Sequence, residues 1–151
     1  MKFKEKYFLS DFAEDFGYFH IKIDKQFLKN LLKKASEDKK PHYNIKFIKK
    51  LNMNLTKRKD SCMTIYGWTK SRTIPLSKLV KISKLANYPW HLLEKKIVSI
   101  KAGQHGGEIK PRLPIKINEK LGCIVGHILG DGSIDKKYKQ VFFSNSNKEL
   151  L

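Results

Sequence analysis

An acidic residue stands at the end of a glycine-rich apolar segment near the C-terminus. Gly122, Gly126 and Gly130 recur at every fourth position, and Asp131 follows directly. Residues four apart share one face of a helix, so these glycines leave one stripe of that face without side chains. Because glycine costs roughly 1 kcal/mol against alanine inside a helix, this spacing indicates that another backbone approaches closely. A carboxylate is unfavourable at the negative end of a helix dipole, and an acid kept at such a position is a candidate metal ligand.

This segment, with Gly126, Gly130, Asp131 and Gly132 at the defining positions, resembles the LAGLIDADG motif of homing endonucleases. In that family two such helices pack together at a two-fold or pseudo-two-fold axis, and their terminal acids hold divalent metal over the scissile phosphates of DNA. The resemblance therefore implies that Asp131 is the catalytic metal ligand. It also implies that Gly122, Gly126 and Gly130 form a helix–helix interface, and that Mg²⁺, which prefers hard oxygen ligands, is the cofactor.

The resemblance covers Leu121 to Leu151 and implies a helix followed by a β-hairpin around the turn Asp135–Lys137. A capping-box pattern at Ser146 and Glu149 should then open a second helix, but the sequence stops two residues later. The family's domain continues through further strands and helices. We therefore expect a truncated form that binds DNA but does not cleave it alone, with a Mg²⁺ site that a second motif must complete. An ordinary buried helix ending in an Asp-Gly turn is the alternative.

The chain is strongly basic, with 32 Lys and Arg against 14 Asp and Glu and a formal net charge of +18 over 151 residues. Such a balance indicates a polyanionic partner, for which nucleic acid is the default. The sequence has no lipidation signal, and its apolar segment is far shorter than the roughly 20 residues that span a bilayer, so no membrane partner is expected. Cys62 and Cys123 match no metal or redox spacing, and Met1–Lys6 is too charged to begin a signal peptide. The expected location is the cytoplasm.

Composition and apolar spacing divide the chain into four regions. Residues 1–24 are aromatic and acidic, with a short helix near Ser10 and a strand through Ile21 and Ile23; no function is assigned to them. Residues 25–101 form a helical domain, residues 102–117 a linker rich in glycine and proline, and residues 118–151 a partial endonuclease domain. The expected fold class is mainly α with a small C-terminal α/β part, an incomplete LAGLIDADG helix plus a β-hairpin.

Apolar residues three and four apart predict five short helices between residues 25 and 101. The third helix carries Cys62, Ile65, Tyr66 and Trp68, and we assign both aromatic residues to the core, with base stacking as the alternative. Proline begins the fourth and fifth helices, and the fifth is expected to reach Ile97. In the last region, Asn118 is expected to cap the glycine-rich helix.

Part of this helical domain resembles a Cro/C1-type helix-turn-helix module. The resemblance covers Phe27 to Lys96 and is carried by the basic loop Tyr66–Pro75 and the apolar helix at Leu79–Leu85. It implies that the third helix enters the major groove of double-stranded DNA. The same module is often appended to LAGLIDADG proteins, so the two resemblances support each other. The sequence departs from the family at Asn52–Asp60, which is longer than its tight turn, and at Ser71, where glycine is usual.

Basic residues cluster across the second and third predicted helices, with Asp60 the only acid among them. Lysine and arginine at phosphates release counterions and dominate affinity for DNA. Ser61 and Thr64, near the start of the third helix, are the candidates for base contacts, and Arg58 is able to contact guanine through two hydrogen bonds. The residues expected to hold phosphates are Lys57, Lys59, Lys70 and Arg72. For any single lysine, a solvated surface is the alternative.

Three functions are consistent with these patterns. The first is a DNA-binding protein related to site-specific LAGLIDADG endonucleases, a hydrolase family, that binds without cleaving alone. The second is a transcription regulator that uses a non-catalytic glycine helix to form a homodimer. The third is a general basic protein associated with nucleic acid or the ribosome.

Overall fold

The computed structural model describes most of the chain, in two compact units. The larger unit is Tyr7–Ile115, and the second holds the described residues on either side of it. The described residues are 6–15, 17–54, 58–70, 73–101, 107–116, 118–135 and 140–143. Side chains are described for all of these except Arg58, Val125 and residues 127–135 and 140–143.

The five helices predicted for the larger unit are confirmed. They are α1 (Lys25–Ser36), α2 (Ile45–Lys50), α3 (Arg58–Thr69), α4 (Leu76–Leu85) and α5 (Trp90–Glu94). Short 3₁₀ helices lie at Leu9–Phe12 and Pro41–Tyr43. The first falls in the segment for which a short helix was predicted. None of the described helices has both the length and the apolar character that crossing a bilayer requires.

Short strands accompany these helices, most of them unforeseen by the sequence pattern. They are β1 (Lys6–Tyr7), β2 (His20–Ile23), β3 (Ile74–Pro75), β4 (Ile97–Lys101), β5 (Glu108–Ile109) and β6 (Ile115–Lys116). β1 pairs with β6, and the other four form a sheet in the order β3–β2–β4–β5. All three pairings within that sheet are antiparallel. Both of its edge strands are two residues long.

The central strand β2 confirms the strand predicted through Ile21 and Ile23, and both of these side chains are buried. The prediction that the fifth helix extends to Ile97 is wrong. Ile97 instead lies opposite Ile23 and begins β4. This pairing joins segments far apart in sequence, so local apolar spacing does not reveal it. With the sheet included, the described chain is mixed α/β rather than mainly α.

The core of the larger unit is formed where the helices cover this sheet. Apolar residues from β2, β3 and α1 to α5 pack into one cluster. Its largest fully buried side chains are Ile21, Leu28, Leu32, Phe47, Ile48, Leu51, Ile65, Ile74, Leu76, Leu79, Ile82 and Leu93. Helix α3, which carries most of the predicted DNA contacts, and helix α2 before it are therefore anchored through apolar side chains.

The second unit contains the helix and hairpin expected at the C-terminal end. α6 (Glu119–Asp131) leads directly into β7 (Gly132–Asp135), which pairs antiparallel with β8 (Gln140–Phe143). Asn118 caps α6 as predicted, because its Oδ1 accepts a hydrogen bond from the backbone N–H of Leu121 at 2.9 Å. The predicted turn residues Lys136 and Lys137, and the capping-box pair Ser146 and Glu149, lie outside the described residues.

Candidate nucleic-acid interface

The segment between α1 and α2 is held at both ends by one side chain, Asn44. Its Oδ1 accepts a hydrogen bond from the backbone N–H of Phe47 at 3.0 Å and so caps α2. Its Nδ2 donates to the backbone carbonyl of Ser36, at the end of α1, at 3.0 Å. The 3₁₀ helix Pro41–Tyr43 lies between these two attachments, and Pro41 is buried. The surface residues of this segment are therefore presented on an ordered backbone.

The connection from α2 to α3 is fixed by residues of other elements. Lys78 of α4 donates hydrogen bonds from Nζ to the backbone carbonyls of Leu51, at 2.6 Å, and Asn52, at 3.3 Å. A cation at these carbonyls is favourable because the C-terminal end of a helix is electronegative. Burial lowers the pKa of the Lys78 amino group, and repulsion from Lys81 lowers it further.

Asn52 has a φ of 52°, a left-handed conformation that asparagine tolerates better than most residues. α2 ends at Lys50 and α3 begins at Arg58, so the connection is long, as its sequence indicated. α3 makes its main contacts with α1 and the 3₁₀ helix Pro41–Tyr43.

Lysines dominate the exposed part of α2, α3 and the segment before them. We call the following exposed residues the basic surface: Lys39, Lys40, Lys46, Lys49, Lys50, Lys59 and Lys70. In the described part of the chain, no carboxylate forms an ion pair with any of these lysines. Elsewhere, Lys22 and Lys101 both lie 3.4 Å from Glu108. The charge of the basic surface is therefore left available to an external anion.

Two acidic residues near the basic surface form no ion pair with its lysines in the described part of the chain. Asp38 precedes Lys39, but its Oδ1 accepts a hydrogen bond from the backbone N–H of Lys40 at 2.9 Å. Asp60 lies in the first turn of α3, where a carboxylate is favourable at the positive end of the helix. Both carboxylates thus have local structural roles.

Ser61, predicted to contact bases, faces the interior. Only 6% of the residue is exposed, and its Oγ donates a hydrogen bond to the backbone carbonyl of Asn54 at 2.8 Å. The prediction that Ser61 lies on the exposed face of α3 is therefore wrong. Ser61 precedes the buried Ile65 by one helical turn, and this spacing places it on the buried face. It instead ties the connection between α2 and α3 to the helix.

The other predicted contact residues on α3 are placed at the surface where they are described. Thr64 is exposed, and its Oγ1 donates to the backbone carbonyl of Asp60 at 2.8 Å. Lys59 and Lys70 are exposed at opposite ends of the helix. Arg58 begins α3, but its side chain is not described, and Lys57 and Arg72 lie outside the described residues.

Exposed aromatic side chains accompany the basic surface, which the sequence raised only as an alternative for Tyr66 and did not indicate for Tyr43. Trp68 is buried as predicted, but the assignment of Tyr66 to the core is wrong because 39% of it is exposed. Tyr43 is 61% exposed. The signal for Tyr66 was its position beside Ile65, off the stripe that Ile65 and Trp68 define. We call Tyr43, His42 and Tyr66 the aromatic row.

The glycines of α6 have open space beside them. A Cβ added at Gly122 or Gly126 would meet no other atom within 4 Å, and Ile124 between them is 55% exposed. The close backbone approach predicted at these two glycines is therefore not made within the described part of the chain. The surroundings of Gly130 are not described.

Asp131 is the last residue of α6, as the sequence predicted, but its side chain is not described. The side chains that are described include no group of three or more His, Cys, Asp or Glu able to hold a metal ion. Binding of Mg²⁺ by Asp131 stays a prediction.

No protein-family model, curated protein or solved structure matches this chain. Function is therefore inferred from the exposure, charge and placement of its own residues.

Proposed function

We propose that this chain is a DNA-binding protein that holds double-stranded DNA along its basic surface. The observation that carries the proposal is the set of exposed lysines without carboxylate partners in the described part of the chain. Each lysine that meets a phosphate releases condensed counterions, which is the main source of affinity for DNA. Asn44 and Lys78 fix the elements that carry these lysines, so they form an ordered binding surface.

We further propose a relationship to site-specific homing endonucleases of the LAGLIDADG type. The order of α6, β7 and β8, with Asp131 at the end of the helix, supports this relationship. Asp131 is the proposed ligand of Mg²⁺. A metal centre of this type uses acids from two motifs, and the second acid would come from another helix. We therefore propose that the chain binds DNA and does not cleave it alone.

A second candidate function, a transcription regulator that dimerises through α6, is favoured by the exposure of this helix. Gly122 and Gly126 leave room for a close neighbour, and Ile124 offers apolar surface beside them. In this proposal α6 packs against α6 of a second copy, and DNA recognition stays with the basic surface.

Charge reversal on α2 tests the DNA-binding proposal. The affinity of the full chain for a short labelled duplex is measured by fluorescence anisotropy over a series of salt concentrations. In a plot of log affinity against log salt concentration, each lost phosphate contact lowers the magnitude of the slope by about 0.9. Lys46→Glu with Lys49→Glu should therefore lower it by about 2. We expect the affinity of this variant to fall by about tenfold or more.

The matched control is Lys84→Glu with Lys95→Glu, which makes the same charge change at exposed positions on α4 and after α5. Equal weakening by both double variants would contradict the assigned surface. Absence of duplex binding would contradict the function itself. Equal affinity for selected and scrambled sequences, with a steep salt slope, would favour the general nucleic-acid or ribosome-associated protein. With Mg²⁺ present, double-strand breaks that Asp131→Ala abolishes would contradict binding without cleavage.

A further inference from the structure

Two tyrosines are exposed on the elements that carry the basic surface. Tyr43 lies in the 3₁₀ helix before α2, and Tyr66 lies on α3. Exposed aromatic and apolar side chains that lie together mark an interaction site more often than scattered ones do. Met63, one turn before Tyr66 on the same helix, is also exposed and extends the non-polar area.

The rings of the aromatic row are ordered by contacts with one another. The His42 ring centroid lies 4.3 Å from that of Tyr43, at an interplanar angle of 49°. It lies 5.5 Å from that of Tyr66 in an edge-to-face arrangement at 62°. The Lys70 amino group lies 5.4 Å from the centroid of the Tyr66 ring. Such cation–π and aromatic contacts restrict the rings before any ligand arrives, which lowers the entropy lost on binding.

The charge around the aromatic row identifies the chemistry of its partner. Lys39 and Lys40 precede it in sequence, Lys46 follows Tyr43 on α2, and Lys70 contacts Tyr66. With no carboxylate paired to these lysines in the described part of the chain, the partner must carry negative charge. It must also offer flat non-polar surface to the rings. A nucleic-acid strand with free bases has both properties.

A perfect duplex does not satisfy both conditions, because its bases are stacked on each other and present only their edges in the grooves. An unpaired base has a free face, and stacking on an aromatic side chain is a general way to bind it. We propose that Tyr43 and Tyr66 are stacking sites for unpaired bases. The basic surface therefore prefers DNA with unpaired nucleotides over a perfect duplex. This inference rests on the DNA-binding function proposed above and names the form of DNA that is bound.

The experiment compares the full chain on three labelled DNAs of one sequence: a perfect duplex, the duplex with a short central bulge, and a single strand. Stacking of one base contributes enough to change affinity by about tenfold, so the bulged duplex should bind about tenfold more tightly than the perfect one. Tyr43→Ala should remove most of this preference and leave affinity for the perfect duplex within about twofold. Tyr43→Phe keeps the ring and should keep the preference.

Lys46→Gln is the matched control, because losing one phosphate contact should weaken binding to the three DNAs by a similar factor. A 2-aminopurine base in the bulge should lose fluorescence when the wild-type chain binds, and less when Tyr43→Ala binds. Tyr43 is largely exposed, so its variant should keep the thermal unfolding temperature of the wild type. The Tyr43→Ala variant therefore tests the stacking proposal even when Tyr66→Ala does not fold.

Equal affinity for bulged and perfect duplexes, or an equal loss on all three DNAs in Tyr43→Ala, would overturn the stacking sites while duplex binding stands. Binding to the single strand without any binding to a duplex would overturn the proposed duplex function and leave the stacking sites supported. Tighter binding of the same single strand as RNA than as DNA would overturn the assignment to DNA.

Discussion

The carboxyl group of Glu94 is buried in the larger unit, where only 4% of the residue is exposed. Its Oε1 accepts hydrogen bonds from the backbone N–H of Leu9 and from the indole Nε1 of Trp90, the latter at 3.2 Å. Its Oε2 has no hydrogen-bond partner among the described residues. Burial raises the pKa of this carboxyl group, and the nearby Asp11 raises it further against the lowering effect of the two hydrogen bonds.

Glu94→Gln should therefore be more stable than the wild type at neutral pH. The unfolded chain releases the Glu94 proton near a pKa of 4.5, whereas the folded chain keeps it to higher pH. Between these two pKa values the folded state binds more protons, so wild-type stability falls as pH rises through that window. Glutamine keeps the Oε1 acceptor and cannot ionise. Urea unfolding at about pH 4 and about pH 8 measures the free energy of unfolding of both proteins. The stability gain of the variant over the wild type should be larger at the higher pH.

A Glu94→Gln difference that stays the same at both pH values would show that ionisation of this carboxyl does not affect folding.

Single residues also show how much of the candidate site could be predicted from the sequence. The exposure of the lysines was predictable from their charge, and the burial of Trp68 from its spacing to Ile65. Ser61 and Tyr66 were assigned to the wrong faces of α3 because its buried face was assumed and not counted from its apolar residues. A strict count from Ile65 and Trp68 corrects both.

Helices α2 and α3 both pack against α1, and Lys78 of α4 adds a side-chain connection to the end of α2. Its Nζ reaches the carbonyls of Leu51 and Asn52 at the end of α2, where four carbonyls lack partners within the helix. The side chain therefore stabilises a helix end and fixes the start of the connection to α3. Stability and the geometry of the basic surface depend on the same contact.

Lys78→Met should destabilise the protein by about 1 to 2 kcal/mol, because the carbonyls of Leu51 and Asn52 lose a charged hydrogen-bond donor. DNA affinity should fall beyond the effect of the lost charge. Urea unfolding and anisotropy measure the two effects. Lys81→Met is the control, since it removes the same charge from the same helix without a hydrogen bond of this kind in the described part of the chain. Equal effects of both substitutions would contradict the role of Lys78 as a cap.

At the level of elements, the sequence predicted the helices and strands whose formation depends on residues close together in the chain. The five helices of the larger unit, α6 with its Asn118 cap and strand β2 follow from local spacing and capping, whereas the hairpin β7–β8 was expected only from the family resemblance. Strand β4 was missed because its apolar residues continue the pattern of α5, and only pairing with the distant β2 makes it a strand. Strand β5 was missed because it is two residues long, lies within residues assigned to a linker and pairs with the unforeseen β4.

In the proposed function, both the charge of the whole molecule and its distribution over the surface contribute to binding nucleic acid. A net charge of +18 attracts any polyanion over long distances and is weakened by salt. The ordered lysines of α2 and α3 add a defined contact area to this general attraction. The second unit adds an exposed helix, α6, which in our second proposal joins two copies of the chain.

Gly126→Leu should separate the protomers of such a dimer, because leucine fills the space that a neighbouring backbone needs. Among the described residues nothing lies within 4 Å of a Cβ added at Gly126, and leucine favours a helix over glycine by up to about 1 kcal/mol. The variant should therefore fold and sediment as a monomer, whereas the wild type sediments as a dimer. Gly107→Leu, at another open position, is the control. An unchanged sedimentation coefficient would contradict dimerisation through α6.

The order of strands in the larger unit has a consequence for crowded solutions. β3 ends in Pro75, which has no N–H to donate, and β5 presents Glu108 with two lysine partners at the opposite edge. Long, flat, unpaired edges let molecules join backbone to backbone and grow into fibres. Here both edge strands are only two residues long, which is too short to serve as a template. We therefore expect the four-stranded sheet to resist amyloid-like growth even in concentrated solutions of the protein.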